Sequence, residues 1–106
     1  MIIQFVQFET SLSEAEVTSV ARDRLDAYAA TPGLVQKYYV KLSKPNHYAG
    51  VMIWESPEAL QAFRETDLAK LVPAAYSVIG APDVDIHELM FPLRETVTYE
   101  AQFEAA

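Results

Sequence analysis

Six prolines divide this chain more sharply than any other feature. They stand at Pro32, Pro45, Pro57, Pro73, Pro82 and Pro92. Proline fixes φ and lacks a backbone N–H, so it belongs at the edges of helices and strands. The intervals between these prolines are long enough for one element each, or for a helix with a strand.

Ile2 to Phe8 has the branched and aromatic content of a strand, with Gln4 and Gln7 inserted. Ser13 and Glu16 have the spacing of a capping box, in which each side chain satisfies the other's free amide. They open a helix predicted to run to about Ala30. Its apolar stripe is Val17, Val20, Ala21, Leu25 and Tyr28; Arg22, Asp23, Arg24 and Asp26 are expected away from it. Thr31-Pro32-Gly33 ends the helix.

Leu34 to Leu42 reads as a second strand. Leu34, Gln36, Tyr38, Val40 and Leu42 lie on one face; Val35, Lys37, Tyr39 and Lys41 lie on the other. After a hairpin at Ser43-Lys44-Pro45-Asn46, His47 to Glu55 forms a third strand that is apolar on both faces, which suits a central, covered strand. Ser56-Pro57-Glu58 starts the second helix, with Ser56 as N-cap and Pro57 at the first helical position. Its stripe is Ala59, Leu60, Phe63 and Leu71. A break is expected before Pro73, with another turn or two of helix over 74–79, ended by Gly80-Ala81-Pro82. Asp83 to Met90 is the fourth strand, and 93–106 a tail whose Thr96-Val97-Thr98-Tyr99 stretch favours β structure.

The order β-α-β-β-α-β defines a ferredoxin-like α+β domain over residues 1–92: a four-stranded antiparallel sheet with both helices on one face. Tyr38, Tyr48, Met52 and Trp54 are too many large side chains for a solvated sheet face. A second copy of the chain is therefore expected to cover it, making a homodimer in which the tail reaches the partner.

Composition removes whole classes of function. Lys plus Arg is 8, Asp plus Glu is 15, and the net charge is −7. Nucleic acid and anionic membrane surfaces are disfavoured as partners, because both reward basic surfaces. There is no cysteine, hence no disulfide, thiol catalysis or thiolate metal site. The two histidines lack carboxylates at ligand spacing, so no metal is expected. The dinucleotide, P-loop, nucleophile-elbow and zinc-protease motifs are all missing. Gln4, Gln7 and Glu9 interrupt any leader-like start, and the apolar run Ala49–Trp54 is far below the ~20 residues that span a bilayer. A cytoplasmic location is the expectation.

One stretch carries a recognisable pattern. Asn46-His47-Tyr48-Ala49-Gly50 enters the third strand, and Trp54-Glu55-Ser56-Pro57-Glu58-Ala59-Leu60 leads into the second helix. Upstream, Pro32-Gly33-Leu34-Val35-Gln36-Lys37 supplies a matching "PGxxxK". Over residues 2 to about 91 the chain resembles the YdhR-like monooxygenases, within the dimeric α/β-barrel, antibiotic biosynthesis monooxygenase superfamily. That resemblance implies a homodimer, a pocket between sheet and helices, and oxidation of aromatic, polyketide-like or quinol-like substrates by O₂ with no metal, flavin or haem.

Such chemistry asks for an apolar pocket, a proton acceptor and donors that hold the resulting anion, since a deprotonated phenol or enol can pass one electron to triplet O₂. His47, inside the matching motif, is the candidate catalytic base; a hairpin histidine bonded to a turn carbonyl is the competing reading. Candidate substrate-binding residues are Gln4, Tyr38, Asn46, Tyr48, Trp54, Phe63 and Tyr76. Each has a structural alternative: Asn46 as turn former, Tyr38, Tyr48 and Trp54 as dimer core, Phe63 and Tyr76 as subunit core. Gln4, alone among Ile2, Val6 and Phe8, must find a hydrogen-bond partner in a subunit, a water or a ligand. His87, beside Asp85 and Glu88, reads as a surface or interface residue. Two other functions remain open: a non-catalytic dimeric binder of small hydrophobic ligands, and haem degradation. The latter needs a histidine on the second helix, and 60–72 contains none.

Overall fold

The computed structural model describes residues 1–95. The expected β segment at 96–99 lies outside them. Four strands, β1 (Ile2–Thr10), β2 (Leu34–Lys41), β3 (His47–Trp54) and β4 (Val78–Glu88), form one sheet. The strand order is β2-β3-β1-β4, and every neighbouring pair is antiparallel. With the helices between β1 and β2 and between β3 and β4, this is the ferredoxin-like α+β architecture.

The caps are where the sequence puts them. Ser13 and Glu16 complete a capping box at the start of α1 (Glu14–Asp23). Ser56 Oγ accepts from the Ala59 amide at 3.1 Å at the start of α3 (Pro57–Arg64), with Pro57 in the first turn. The long elements are more broken than their periodicity suggests. The first helix stops at Arg24 and resumes as α2 (Leu25–Ala29). Arg24 is turned inward rather than away: its Nη2 donates to the Leu68 carbonyl at 2.7 Å. After α3, Thr66 caps a separate turn, α4 (Asp67–Lys70), followed by α5 (Val72–Ala75). The break expected before Pro73 is present, and the helical turn that Pro73 opens ends at Ala75 rather than near Ile79.

β4 also starts earlier than expected, at Val78, and carries Gly80 and Pro82 within it. An edge strand tolerates proline because one side of its backbone has no ladder to complete. Gly80 has φ +72°, and the register against β1 shifts between Gln7 and Glu9.

Cross-strand partners share a face, so the registers define both sides of the sheet. Ile2, Gln4, Val6 and Phe8 pair with Trp54, Met52, Gly50 and Tyr48. This is the helix-covered side. Met52 and Trp54 are buried there with Tyr28, Leu60 and Phe63, and Trp54 is 0% exposed. The expectation that Tyr48, Met52 and Trp54 furnish the uncovered face is thus corrected: they pack under the helices. A register shift between Leu34 and Gln36 also puts Leu34 opposite Trp54, on the side of Lys37, Tyr39 and Lys41. Tyr38 lies on the opposite side, 55% exposed.

That opposite side is nonetheless apolar along its centre. Ile3 and Phe5 of β1, Val51 and Ile53 of β3, and Tyr38 and Val40 of β2 share it. Asp83, Asp85 and His87 give its β4 edge a polar character. Among the described residues no helix is long and apolar enough to cross a membrane.

Candidate functional site

The site grows from one buried amide. Gln4 sits in the middle of β1, facing the helices, and is 6% exposed. The indole Nε1 of Trp54 donates to Gln4 Oε1 at 3.0 Å. An indole N–H can only donate, so the amide's orientation is fixed with its oxygen toward Trp54. The NH₂ group has no hydrogen-bond partner among the described residues, and Gln4 lines the cavity beside it. Trp54 is held in turn by Phe63, ring centroids 5.0 Å apart, and Phe63 by Tyr28 at 5.8 Å. An apolar core thereby positions a polar donor.

The cavity lies between sheet and helices and has a volume of about 570 Å³, room for a flat molecule of two or three rings. Val6, Phe8, Tyr48 and Met52 form its floor; Val17, Phe63 and Tyr76 stand on the opposite wall. Phe8 packs against Tyr76 (5.3 Å between centroids) and Tyr48 (6.3 Å). Thr10, 1% exposed, fastens this end: its hydroxyl donates to the Tyr76 carbonyl and accepts from the Leu12 amide at 3.0 Å.

Lys37 enters the cavity from β2. Its Nζ lies 3.3 Å from the centroid of the Tyr28 ring and 4.7 Å from that of Tyr39. Burial pushes its pKa down to about 7, helped by repulsion from Arg24. Arg24 Nε is buried with no hydrogen-bond partner among the described residues. Burial, reinforced by neighbouring tyrosines, pushes the phenols of Tyr39 and Tyr76 up to about 12, so both stay neutral and able to donate at pH 7.

Of the residues singled out from the sequence, Gln4, Tyr48, Phe63 and Tyr76 meet in this cavity. Trp54 does not line it but supports two residues that do, Gln4 and Phe63. Tyr38 is on the opposite face of the sheet. Asn46 has φ +63° in the β2–β3 hairpin, and its carbonyl accepts from the Thr10 amide at 3.0 Å. His47, the expected base, does not line the cavity: its Nδ1 is 2.8 Å from the Pro45 carbonyl oxygen, the hairpin arrangement. His87 points to the open face opposite Ile3. Among the described residues no group of three or more His, Cys, Asp or Glu could hold a metal ion. Lys37, Tyr28 and Tyr39 were missed, although the alternation of β2 already sets Lys37 and Tyr39 on one face.

The motif stretches turn out to touch one another. Gly33 has φ +78°, and a Cβ built on it would collide with Cβ of Ala59. The glycine of "PGxxxK" is thus needed for close approach to the helix that Ser56 caps, and the same segment delivers Lys37 to the cavity.

No family model matches the chain, and neither does any curated protein. Solved structures do match. The chain has the α+β fold of the antibiotic biosynthesis monooxygenases. One such monooxygenase superposes with a TM-score of 0.68 at 18% identity, covering 85% of this chain and 99% of that one. SnoaB of Streptomyces nogalater, a cofactor-independent oxygenase, gives 0.69 at 20% identity over 89% and 98%. A protein of unknown function from Nitrosomonas europaea gives 0.73 at 18% over 90% and 94%.

Proposed function

We propose that this protein is a cofactor-independent monooxygenase that oxidises an aromatic phenol, quinol or polyketide-like substrate with O₂ in the cleft between sheet and helices. The observation that carries the reading is the Gln4 amide, locked by Trp54 so that a buried N–H donor faces an aromatic-lined cavity of about 570 Å³. A fixed donor in an apolar cavity stabilises a phenolate or enolate oxygen far better than it would in water. The likeness in fold to a cofactor-independent oxygenase supports the same chemistry. With an anthrone the balance closes without a co-reductant. The methylene becomes a carbonyl, one oxygen atom of O₂ enters the carbon, and the other leaves as water.

The working unit of this reading is a homodimer, closed through the apolar centre of the open sheet face around Val51 and Ile53. Sedimentation at micromolar concentration should give twice 11.9 kDa. The function is tested by oxygen uptake with a panel of anthrones and hydroquinones. Turnover with equimolar quinone formation is expected. Saturable binding of the same compounds without oxygen consumption would assign the protein as a binder instead.

A further inference from the structure

The chain is acidic, yet its cavity is basic. Among the described residues the cavity wall carries Arg22, Lys37, Lys41, Arg64 and Lys70 but one carboxylate, Glu14. That carboxylate is already engaged, 3.0 Å from the ammonium of Lys41. Most of the eight basic residues of a chain with net charge −7 are therefore gathered at one concavity. A cleft of one sign, walled by apolar groups, focuses its field and concentrates ligands of the opposite sign.

The innermost of these cations is Lys37. The groups set against its ammonium are neutral or positive: Tyr28 from α2, Arg24 from the α1–α2 junction and Tyr39 from its own strand, with Gln4 and Tyr76 lining the same cavity. Asp26, also on α2, shares only a smaller neighbouring hollow with Lys37 and makes no ion pair with it. The two rings take part of the place of water, but among the described residues no carboxylate lies within ion-pair distance of the ammonium. A buried cation without a counter-ion is costly, and evolution has the cheap options of leucine or methionine at such a site.

We propose that the cleft takes an aromatic carboxylate, its rings on the Phe8–Tyr48–Tyr76 wall and its carboxylate on Lys37. This deepens the oxygenase reading by naming the charge of the substrate; it rests on the cleft being the ligand site, not on oxygen chemistry. The ammonium donates to the carboxylate, the Gln4 NH₂ remains for a second oxygen of the ligand, and Arg24 adds a positive charge behind.

The test is calorimetric titration of the full chain with 2-naphthoate and its neutral isostere 2-naphthamide. At pH 6 the acid should bind at least ~10-fold tighter than the amide, as for a charge-assisted pair. Lys37 loses its proton near pH 7, so acid affinity should fall about tenfold by pH 8 and binding there should take up close to one proton, ~0.9. His47 and His87 lie outside the cavity. Amide affinity should not change with pH. Lys37→Met should abolish the acid preference and keep amide binding, while Lys37→Arg should keep the preference and flatten its pH dependence. The wild-type pH profile decides the matter even where a variant fails to fold. Equal affinities at pH 6, a flat wild-type profile for the acid, or no binding of the acid at millimolar concentration overturns the proposal. Oxygen uptake on neutral anthrones without acid preference sinks this proposal alone; acid preference without oxygen uptake on any substrate sinks the oxygenase reading alone.

Discussion

Replacing Lys37 with methionine should stabilise the free protein at neutral pH, and the gain should fade as pH rises. Methionine keeps the length of the stem between Tyr28 and Tyr39 and removes the charge. The magnitude follows from proton linkage. The pKa falls from 10.5 to about 7 on folding. Below about pH 7 both folded and unfolded chains hold the proton, and the full cost of burying the charge bears on the folded state. Between about 7 and 10.5 the unfolded chain holds a proton that the folded chain lacks, so folding becomes more favourable with each unit of rising pH. Some 3.5 units correspond to roughly 5 kcal/mol at ~1.4 kcal/mol per unit. Part of that is offset by solvent still reaching the stem and by attraction to the Tyr28 ring, ~1–2 kcal/mol for a desolvated cation over an aromatic face. A gain of about 2 kcal/mol for the variant at pH 7 remains. The assay is urea unfolding followed by the fluorescence of Trp54, the single tryptophan, at pH 7, 8 and 9. Wild type should gain about 1–2 kcal/mol across that range relative to the variant. The range stops there because Tyr39 and Tyr76, whose phenols ionise only at about 12 when folded, begin to favour the unfolded state as pH passes 10. Parallel wild-type and variant profiles, or a variant less stable at pH 7, would refute the reasoning.

Two more substitutions read other parts of the design. Gln4→Leu strands the buried Trp54 N–H and should cost about 1–3 kcal/mol in the same unfolding assay. It should also weaken binding of a phenolic ligand, which a purely structural glutamine would leave unchanged. Gly33→Ala puts a methyl into Ala59 at a positive φ, and a loss of at least ~1–3 kcal/mol is expected by thermal or urea unfolding; a neutral result would mean that β2 and α3 separate more easily than their contact implies.

Much of the fold is written locally. The capping box at Ser13 and Glu16, the Ser56-Pro57 helix start and the Asn46 turn depend on groups within four residues of one another, and each is found where the sequence places it. The alternation of β1 marked Gln4 as the polar residue to explain. What local pattern did not reveal were breaks set by distant partners. Arg24 interrupts the first helix while reaching Leu68, forty-four positions away. Pro73 follows the expected break and opens a helical turn, whereas Pro82, expected to end that helical stretch, sits on a sheet edge, where its missing N–H costs nothing.

Periodicity separates the two faces of a strand; it does not say which face the helices choose. The sequence alone determined that Tyr48, Met52 and Trp54 share a side, that Lys37 and Tyr39 share another strand's side, and that four strands and two helical segments alternate in this order. Only the register of β1 with β3 and β2 with β3 turned those sides toward the same helices. That choice buried Trp54 against Gln4, kept His47 in its hairpin and carried Lys37 into an aromatic cleft. Side-chain alternation has a period of two residues and is invariant to which layer covers it, whereas burial is decided by contacts between residues far apart in the chain.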